Sequence, residues 1–281
     1  MTLGGDPVEA VILPGLGARL HRLRVFGQNV LRTPPDLGAY AREPFFWGSY
    51  SMAPWCNRVA AAPTVVGGRT IAMQSNFPDG SSIHGQVYAR AWEVVGEGSV
   101  RVRGGGDGWP WQYEVAQEVE VREESLSLEL SLWNRSTDPM PAGLGIHPWF
   151  RAPVEVAIHA KRVYPSNVGS PREPEPVTGS LDRRRLADLP DDLDATWTDV
   201  DDPAVELAWL DLGIRATMRI RGPSVHVVAA SPASLDAVAV EPQTHAPQGI
   251  RRLLNGEPGA LALLAPGQRL QLGVELAFRR G

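Results

Sequence analysis

Hydrophobic residues recur at every second position over much of the chain between residues 119 and 278. Successive side chains of a strand point to opposite faces of a sheet, so this spacing predicts strands with one apolar face. The clearest runs are Leu126, Leu128, Leu130 and Leu132, and Leu270, Leu272, Val274, Leu276 and Phe278; shorter ones are Val154, Val156 and Ile158, Met218 and Ile220, Val225 and Val227, and Val238 and Val240. Spacing typical of helices is scarce, and the pattern predicts an all-β protein.

Turn signals separate these runs. Residues 122–125 predict a hairpin turn, and Gly67 and Gly68 predict a two-residue turn, because glycine adopts positive φ without strain. Most of the 29 glycines and 25 prolines fall between the predicted strands. The stretch 165–203 has little strand character, and we expect it to form a long surface loop. Two packed antiparallel sheets would bury this many one-sided strands, and we expect residues 1–281 to form one domain.

The composition narrows the class of partner. The 281 residues include 27 basic and 32 acidic side chains, a formal net charge of -5 at pH 7, so no overall positive field attracts nucleic acid. We recognise no secretory leader and no apolar run as long as a bilayer span, so we expect no membrane partner and a cytoplasmic location. Cys56 is the only cysteine, which excludes an intrachain disulfide and a cysteine-based metal cluster.

Three polar segments lie among the predicted strands. The first contains Asn57 and Arg58 and is followed at a distance by His84; the second contains His147 and the third Glu241. His147 and Glu241 each precede a proline, which favours an extended backbone and predicts a position at a strand end. A histidine and a carboxylate form an adequate acid–base pair near neutral pH, and such a pair suits a reaction that only moves protons.

Structural roles compete with these chemical ones, because a lone histidine is more often a satisfied structural residue than a catalyst. His159 and His226 have the opposite parity to their apolar neighbours and should point away from that face. We assign no role to either of them or to His21. His245 lies four residues after Glu241 and could simply line the cleft.

At the three polar segments the chain resembles the aldose 1-epimerase (galactose mutarotase) family, over about residues 48–278. The resemblance depends on the order of several motifs, each weak alone. They are Asn57-Arg58 after a small and aromatic stretch, His84-Gly85 after a hairpin, Trp92 after a short spacer, Asn134 and a turn leading to His147 with Trp149-Phe150, Leu193-Asp194 before Trp197, Glu241-Pro242-Gln243, and Leu264-Ala265-Pro266-Gly267 before the last strand. Together, and in this order, they are fairly specific.

The resemblance implies a galactose-mutarotase-like antiparallel β-sandwich, or supersandwich. Such an isomerase would bind a small-molecule sugar in an open cleft, use no metal or organic cofactor, and act as a monomer or homodimer. By the same resemblance Glu241 removes the proton of the anomeric hydroxyl, His147 protonates the ring oxygen, and His84 helps to hold that oxygen. The residues implied to bind the sugar are Arg58, Asn57, Asp194 and Gln243. The ring would open, the bond beside the aldehyde would rotate, and the ring would close as the opposite anomer.

Other interpretations stay open. The His84 segment lacks the second glycine usual in the family, and alanine follows Asp194 where histidine is frequent, so the identity of the sugar is open. A subgroup of the family acts on hexose 6-phosphates, and Arg183-Arg184-Arg185 could hold a phosphate, although a solvated basic run is the stronger interpretation. A non-catalytic sugar-binding module would lack a positioned acid and base. A glycoside hydrolase would usually need two carboxylates, for which Asp194 would have to join Glu241.

Overall fold

A computed structural model describes the whole chain, residues 1–281. It contains two short helices, α1 (Ala39–Arg42) and α2 (Gly249–Asn255), and 23 strands. The strands are β1 (Thr2–Gly4), β2 (Val8–Leu13), β3 (Arg19–Val25), β4 (Gln28–Asn29), β5 (Ser49–Met52), β6 (Arg58–Val59), β7 (Thr64–Val66), β8 (Arg69–Ile71), β9 (Ser82–Ile83), β10 (Glu93–Gly96), β11 (Ser99–Gly106), β12 (Trp109–Arg122), β13 (Ser125–Asn134), β14 (Met140–Ala142), β15 (Gly145–Arg151), β16 (Glu155–Tyr164), β17 (Glu175–Pro176), β18 (Leu193–Trp209), β19 (Ile214–Arg221), β20 (His226–Ser231), β21 (Ala237–Gln243), β22 (Ala262–Leu264) and β23 (Arg269–Arg280). The predicted all-β class is confirmed. Neither helix has the length and apolar character needed to cross a bilayer.

Seventeen of the strands form one continuous antiparallel sheet that curls into two facing layers. Neighbouring pairs run β10–β11–β12–β13–β23–β19 in one layer and β1–β2–β3–β5–β15–β21–β20 in the other. Strand β18 joins the layers, because its first half pairs with β20 and its second half with β19. The antiparallel architecture expected from the alternation is therefore present.

The alternating hydrophobic positions meet between the two layers. Leu126 of β13 lies opposite Leu276 of β23, and both are at most 6% exposed. They border the same apolar interior as Leu23 and Ile146 of the other layer. Each such side chain contributes about 1.5–3 kcal/mol when it is fully buried, so this interior is what holds the layers together.

Both predicted hairpin turns are present. Arg122 pairs with Ser125 across the turn between β12 and β13. Gly67 and Gly68 connect β7 to β8 with φ values of 56° and 77°, the left-handed region that glycine adopts most easily.

The predicted surface loop 165–203 is too long. Its last part belongs to β18, in which Ala195 and Trp197 are buried while Asp199 and Asp201 face solvent. These four residues have the same parity, so the strand is irregular here: Asp199 has a φ of 55°, and the pairing of β18 with β16 shifts register between Ile158 and Ala160. The irregular segment proper spans residues 165–192 and contains only the two-residue strand β17 and one 3-10 turn.

Candidate active site

A cleft opens on the layer formed by β5, β15, β21, β20 and the start of β18, on the face turned away from the interlayer core. Its volume is about 210 Å³, which favours one small ligand. The residues whose convergence the motif order predicts all line it: Arg58, His84, His147, Asp194 and Glu241. Asn57 lines it as well, whereas Gln243 does not.

Strand register places His147 opposite Glu241. The paired positions on either side of them are Gly145 with Gln243 and Trp149 with Ala239. The predicted position at a strand end is wrong for both residues, because each lies inside its strand. The prolines that follow them lack an N–H donor, and the sheet accommodates this as a local gap in the β15–β21 ladder between the two flanking pairs.

His147 and Glu241 are in direct contact at the floor of the cleft. Nε2 of His147 lies 3.1 Å from Oε1 of Glu241, and the residues are 5% and 3% exposed. Burial raises the pKa of the Glu241 carboxyl well above its usual range, and burial lowers the pKa of the His147 imidazole to about 3. Both directions disfavour separated charges, so the two groups act as one coupled pair.

Gln243 lies behind Glu241. Its Nε2 donates a hydrogen bond of 2.8 Å to Oε2 of Glu241, and its Oε1 accepts one of 3.4 Å from Nδ2 of Asn57. The side chain is fully buried. Gln243 therefore fixes one carboxylate oxygen and leaves the other, Oε1, directed at His147.

His84 is held in one tautomer by its neighbour. The backbone N–H of Asn57 donates to Nδ1 of His84 at 3.3 Å, so the ring proton must lie on Nε2. Burial lowers the pKa of His84 well below its usual range, which keeps the ring neutral. A Cβ on the following residue, Gly85, would lie 2.0 Å from the carbonyl oxygen of Ala53, so only glycine fits in this His-Gly segment.

Ion pairs and an amide form the polar wall. Nε of Arg58 lies 2.6 Å from Oδ2 of Asp79, and its Nη1 lies 3.8 Å from Oδ2 of Asp194. The other oxygen of Asp194 accepts a hydrogen bond from Nδ2 of Asn167. Asp194 is thus held in place by Asn167 on one side and Arg58 on the other.

Another part of the cleft lining is aromatic, and the motifs alone did not assign it to the site. It consists of Phe45, Phe46, Phe77 and Trp149. Apolar faces of this kind pack on the C–H face of a sugar ring. Trp149 is part of the His147 motif, so the sequence could have predicted that it lies in the cleft. The phenylalanines and Asn167 carry no motif, and only the fold brings them to the cleft.

The other histidines lie elsewhere. Nδ1 of His21 lies 2.7 Å from the hydroxyl of Tyr40, and Nε2 of His159 lies 3.1 Å from Oε1 of Glu206. His226 points away from Val227 as predicted, but it is only 3% exposed, because the Tyr164 ring of β16 stacks on it and the chain at Gly259 packs against it. His245 is fully buried and does not line the cleft.

The arginine triplet also lies away from the cleft. Arg184 forms an ion pair with Asp182, and Arg183 donates to the carbonyl oxygens of Ala187 and Asp188. No group of three or more histidine, cysteine, aspartate or glutamate side chains is arranged to hold a metal ion. Independence of metal stays a prediction.

The sequence matches the profile of the family described as aldose 1-epimerase over residues 2–276. Among solved structures, it resembles a putative aldose 1-epimerase from Escherichia coli K12 (20% identity, 100% of this chain and 98% of that chain covered, TM-score 0.83). It also resembles a galactose mutarotase-like protein from Clostridium acetobutylicum (16%, 100% and 95%, 0.85) and galactose 1-epimerase from Lactobacillus acidophilus NCFM (17%, 100% and 94%, 0.79). No curated protein matches significantly. The galactose-mutarotase-like fold is confirmed.

Proposed function

Because the chain belongs to the aldose 1-epimerase family, we propose that it is a mutarotase that interconverts the α and β anomers of a free, neutral aldose. The observation that supports this most is the 3.1 Å contact between Nε2 of His147 and Oε1 of Glu241. Ring opening takes a proton from one oxygen of the anomeric carbon and gives a proton to the other. A donor and an acceptor this close together can serve both oxygens at once.

The proposed reaction uses one proton shared by the pair. In the reactive form, Glu241 is a carboxylate and His147 an imidazolium. Glu241 takes the proton of the anomeric hydroxyl, and the electrons of that O–H bond form the carbonyl. The bond from the anomeric carbon to the ring oxygen breaks, and its electron pair takes the proton from Nε2 of His147.

Ring opening leaves Glu241 protonated and His147 neutral, so the pair keeps its total number of protons. This product form is the one that burial favours, since it carries no separated charge. Rotation about the bond beside the carbonyl presents its other face. Closure then reverses each proton transfer and regenerates the reactive form without a proton from bulk water.

We assign His84 to the ring oxygen and Gln243 to the carboxylate. A neutral His84 with its proton on Nε2 is a permanent hydrogen-bond donor, which suits the lone pairs that develop on the ring oxygen. Gln243, which the family resemblance implies to bind sugar, serves in this proposal to orient Glu241. Asn57 supports both residues, through its backbone N–H and its side chain.

Charge in the cleft favours a neutral sugar over a phosphorylated one. Three carboxyl groups line it, those of Asp192, Asp194 and Glu241, against one cation, Arg58. Arg58 is already engaged by Asp79 at 2.6 Å. A phosphate would find no free guanidinium and would meet like charge, so we place hexose 6-phosphates below free aldoses as substrates.

The alternatives fit the site less well. A sugar-binding module gains nothing from a buried acid–base pair, whose desolvation costs stability. A glycoside hydrolase usually needs a second carboxylate flanking the bond, whereas the partner of Glu241 at 3.1 Å is a histidine.

Anomer interconversion provides the test. Freshly dissolved pure anomers of free hexoses and pentoses, and of hexose 6-phosphates, are followed by polarimetry and by NMR, with the spontaneous rate subtracted. We expect acceleration for at least one free aldose and a lower kcat/KM for its 6-phosphate. Absence of acceleration for every sugar, with the protein folded, would exclude a mutarotase.

A further inference from the structure

Arg19 is a buried cation without an acidic partner. It is the first residue of β3 and is 1% exposed. Its Nη1 donates to the carbonyl oxygen of Trp47 at 2.7 Å, and its Nη2 to that of Pro44 at 2.8 Å. Nε has no hydrogen-bond partner. A buried, unpaired charge costs free energy, so its presence needs an explanation beyond packing.

Arg19 contacts the acid–base pair through one aromatic ring. Its guanidinium carbon lies 4.6 Å from the ring centroid of Tyr50. The Tyr50 ring is stacked on the imidazole of His147, with centroids 4.6 Å apart and planes 21° from parallel. Tyr50 and His147 are cross-strand partners in β5 and β15, so this stack is fixed by register and cannot slide along the strand.

Arg19 also helps to hold the aromatic wall of the cleft. Segment 44–47 carries Phe45 and Phe46, and side chains bind every backbone carbonyl oxygen in it. Arg19 binds those of Pro44 and Trp47, Trp149 that of Phe45 at 2.6 Å, and Arg32 that of Phe46 at 2.7 Å. A guanidinium can reach two carbonyl groups at once because its donors form a rigid fork.

We propose that Arg19, although it does not touch the cleft, is a positioning residue that holds Tyr50 against the imidazole of His147. It limits the rotation of the ring whose Nε2 exchanges the proton. Its fixed positive charge also opposes the addition of further protons to the pair. This inference rests on the proposed mutarotase function and adds to it a residue that none of the family motifs quoted above includes.

Several other titratable or charged groups surround His147, and their charges influence the protonation of the His147–Glu241 pair together with that of Arg19. Glu241 comes from β21, Tyr50 from β5, and His84 from the turn after β9. Arg58, Asp192 and Asp194 line the same cleft, Cys56 and Tyr88 pack with Tyr50, and Tyr40 lies beside the Arg19 guanidinium. Arg19→Met and Arg19→Lys change none of these groups, so a shift between wild type and either variant reports on Arg19.

The central variant is Arg19→Met, which keeps apolar bulk and removes the charge and both hydrogen bonds. We expect kcat to fall by up to about 100-fold, the cost of a small misplacement of reacting groups, with a smaller change in KM. Loss of a positive charge makes every protonation of the pair easier. Both limbs of the pH–rate profile should therefore move to higher pH. The shift should be smaller than about 1 pH unit, because Tyr50 separates Arg19 from the pair, whereas a charge in direct contact shifts a pKa by about 1 unit or more.

Two further variants separate charge from geometry. Arg19→Lys keeps the charge but loses the fork, so kcat should fall while the pH–rate profile stays at its wild-type position. Arg32→Met is the matched control, because Arg32 also binds segment 44–47 but lies over Trp47, at 3.5 Å, and pairs with Asp236. Its pH–rate profile should not move.

A readout independent of turnover is the NMR titration of the His147 imidazole, assigned with His147→Asn. Its midpoint should be higher in Arg19→Met than in wild type. If wild type does not accelerate anomer interconversion, the proposed function fails, and equal midpoints would separately overturn this inference.

Folding of each variant is checked by circular dichroism. A folded Arg19→Met protein with wild-type kcat and pH–rate profile would overturn the inference, and so would an equal shift in Arg32→Met. If Arg19→Met does not fold, Tyr50→Leu removes the intervening ring, and wild-type kcat in that variant would overturn it as well.

Discussion

The protein buries two clusters of similar composition, and only one of them borders the cleft. The cleft cluster contains His84, His147, Tyr50 and Arg19; the closed cluster contains His226, His245, Tyr164 and Arg252. All four histidines are at most 5% exposed. In each cluster a guanidinium carbon lies against a tyrosine ring, at 4.6 Å and 4.4 Å from the centroid.

The clusters differ in what their polar atoms bind. In the closed cluster, Nε2 of His245 accepts from the backbone N–H of Cys56 at 2.9 Å, and Nδ1 donates to the carbonyl oxygen of Ala246 at 2.7 Å. Arg252 donates to four carbonyl oxygens and one hydroxyl, those of Pro247, Arg172, Pro258, Pro171 and Ser170. These bonds use the donors and acceptors of His245 and Arg252 to anchor the backbone.

In the cleft cluster, capacity for hydrogen bonding is left over. Nδ1 of His147 and Nε of Arg19 have no partner, and Nε2 of His147 faces a carboxylate beside open space. Burial of a histidine is therefore no sign of catalysis by itself. Under the proposed function, the cleft cluster differs from the closed one in having a proton that can move and a cleft that can admit the molecule receiving it.

The largest effect should come from Glu241→Gln. This change keeps the shape and one oxygen but removes the base, so kcat should fall by about 10²–10⁴-fold with little change in KM. His147→Asn should lower kcat too, and the double variant should lose less than the product of the two factors, because the residues act as a unit. Exchange NMR on the sugar that wild type epimerises measures this. Wild-type turnover by Glu241→Gln would show that another group is the base.

His245→Ala should affect stability and spare catalysis. It removes the acceptor of the buried Cys56 N–H, so the free energy of unfolding should drop by about 1–3 kcal/mol, measured by urea denaturation at pH 7.5. Turnover per folded molecule should stay at the wild-type value. A loss of kcat comparable with that of Glu241→Gln would show that the closed cluster also takes part in catalysis.

The closed cluster should also make the fold sensitive to acid. Burial lowers the pKa of His226 to about 3 and that of His245 to about 4, whereas in the unfolded chain each is about 6.5. Between those values the unfolded state binds more protons, so this contribution to stability is present above pH 6.5 and is lost as pH falls.

His226→Phe keeps a ring against Tyr164 but cannot take up a proton. The variant should therefore lose less free energy of unfolding than wild type as pH falls below 6.5, by about 1.4 kcal/mol per pH unit. The free energy of unfolding of both proteins is measured by urea denaturation at pH 7.5 and 5.0. Subtracting one protein from the other isolates the contribution of His226, because the opposite contribution of Glu241, whose raised pKa favours the folded state at low pH, is common to both. Equal pH dependence in the two proteins would show that His226 titrates normally.

The smallest effect should come from the arginine triplet outside both clusters. Replacing Arg183, Arg184 and Arg185 together with alanine should leave kcat/KM unchanged for the neutral sugar and for its 6-phosphate. Exposed pairs such as Arg184 with Asp182 contribute little. A selective loss with the phosphate would restore the triplet as an anion site.

Much of the architecture follows from local pattern. Alternation over residues 126–132 and 270–278 predicts strands because the two-residue period of a strand is a property of the backbone itself. The paired glycines at 67–68 predict their turn because the ease with which glycine adopts positive φ is also a local property of the backbone. Alternation fails in the first half of β18, because the irregularity near Asp199 leaves Trp197 buried and Asp199 exposed although both have the same parity.

The sequence by itself determined the strands with clear alternation, the two hairpin turns and the residue types of the proposed acid–base pair. Only the tertiary structure decided that His147 meets Glu241 at 3.1 Å, that Gln243 lies behind the carboxylate, and that Arg19 is buried beneath Tyr50. Side-chain periodicity reports on one strand at a time, whereas contact across strands depends on register, and register is set by the packing of the whole sheet. For the same reason, a buried arginine cannot be recognised until the carbonyl groups that receive its hydrogen bonds have been brought together by the fold.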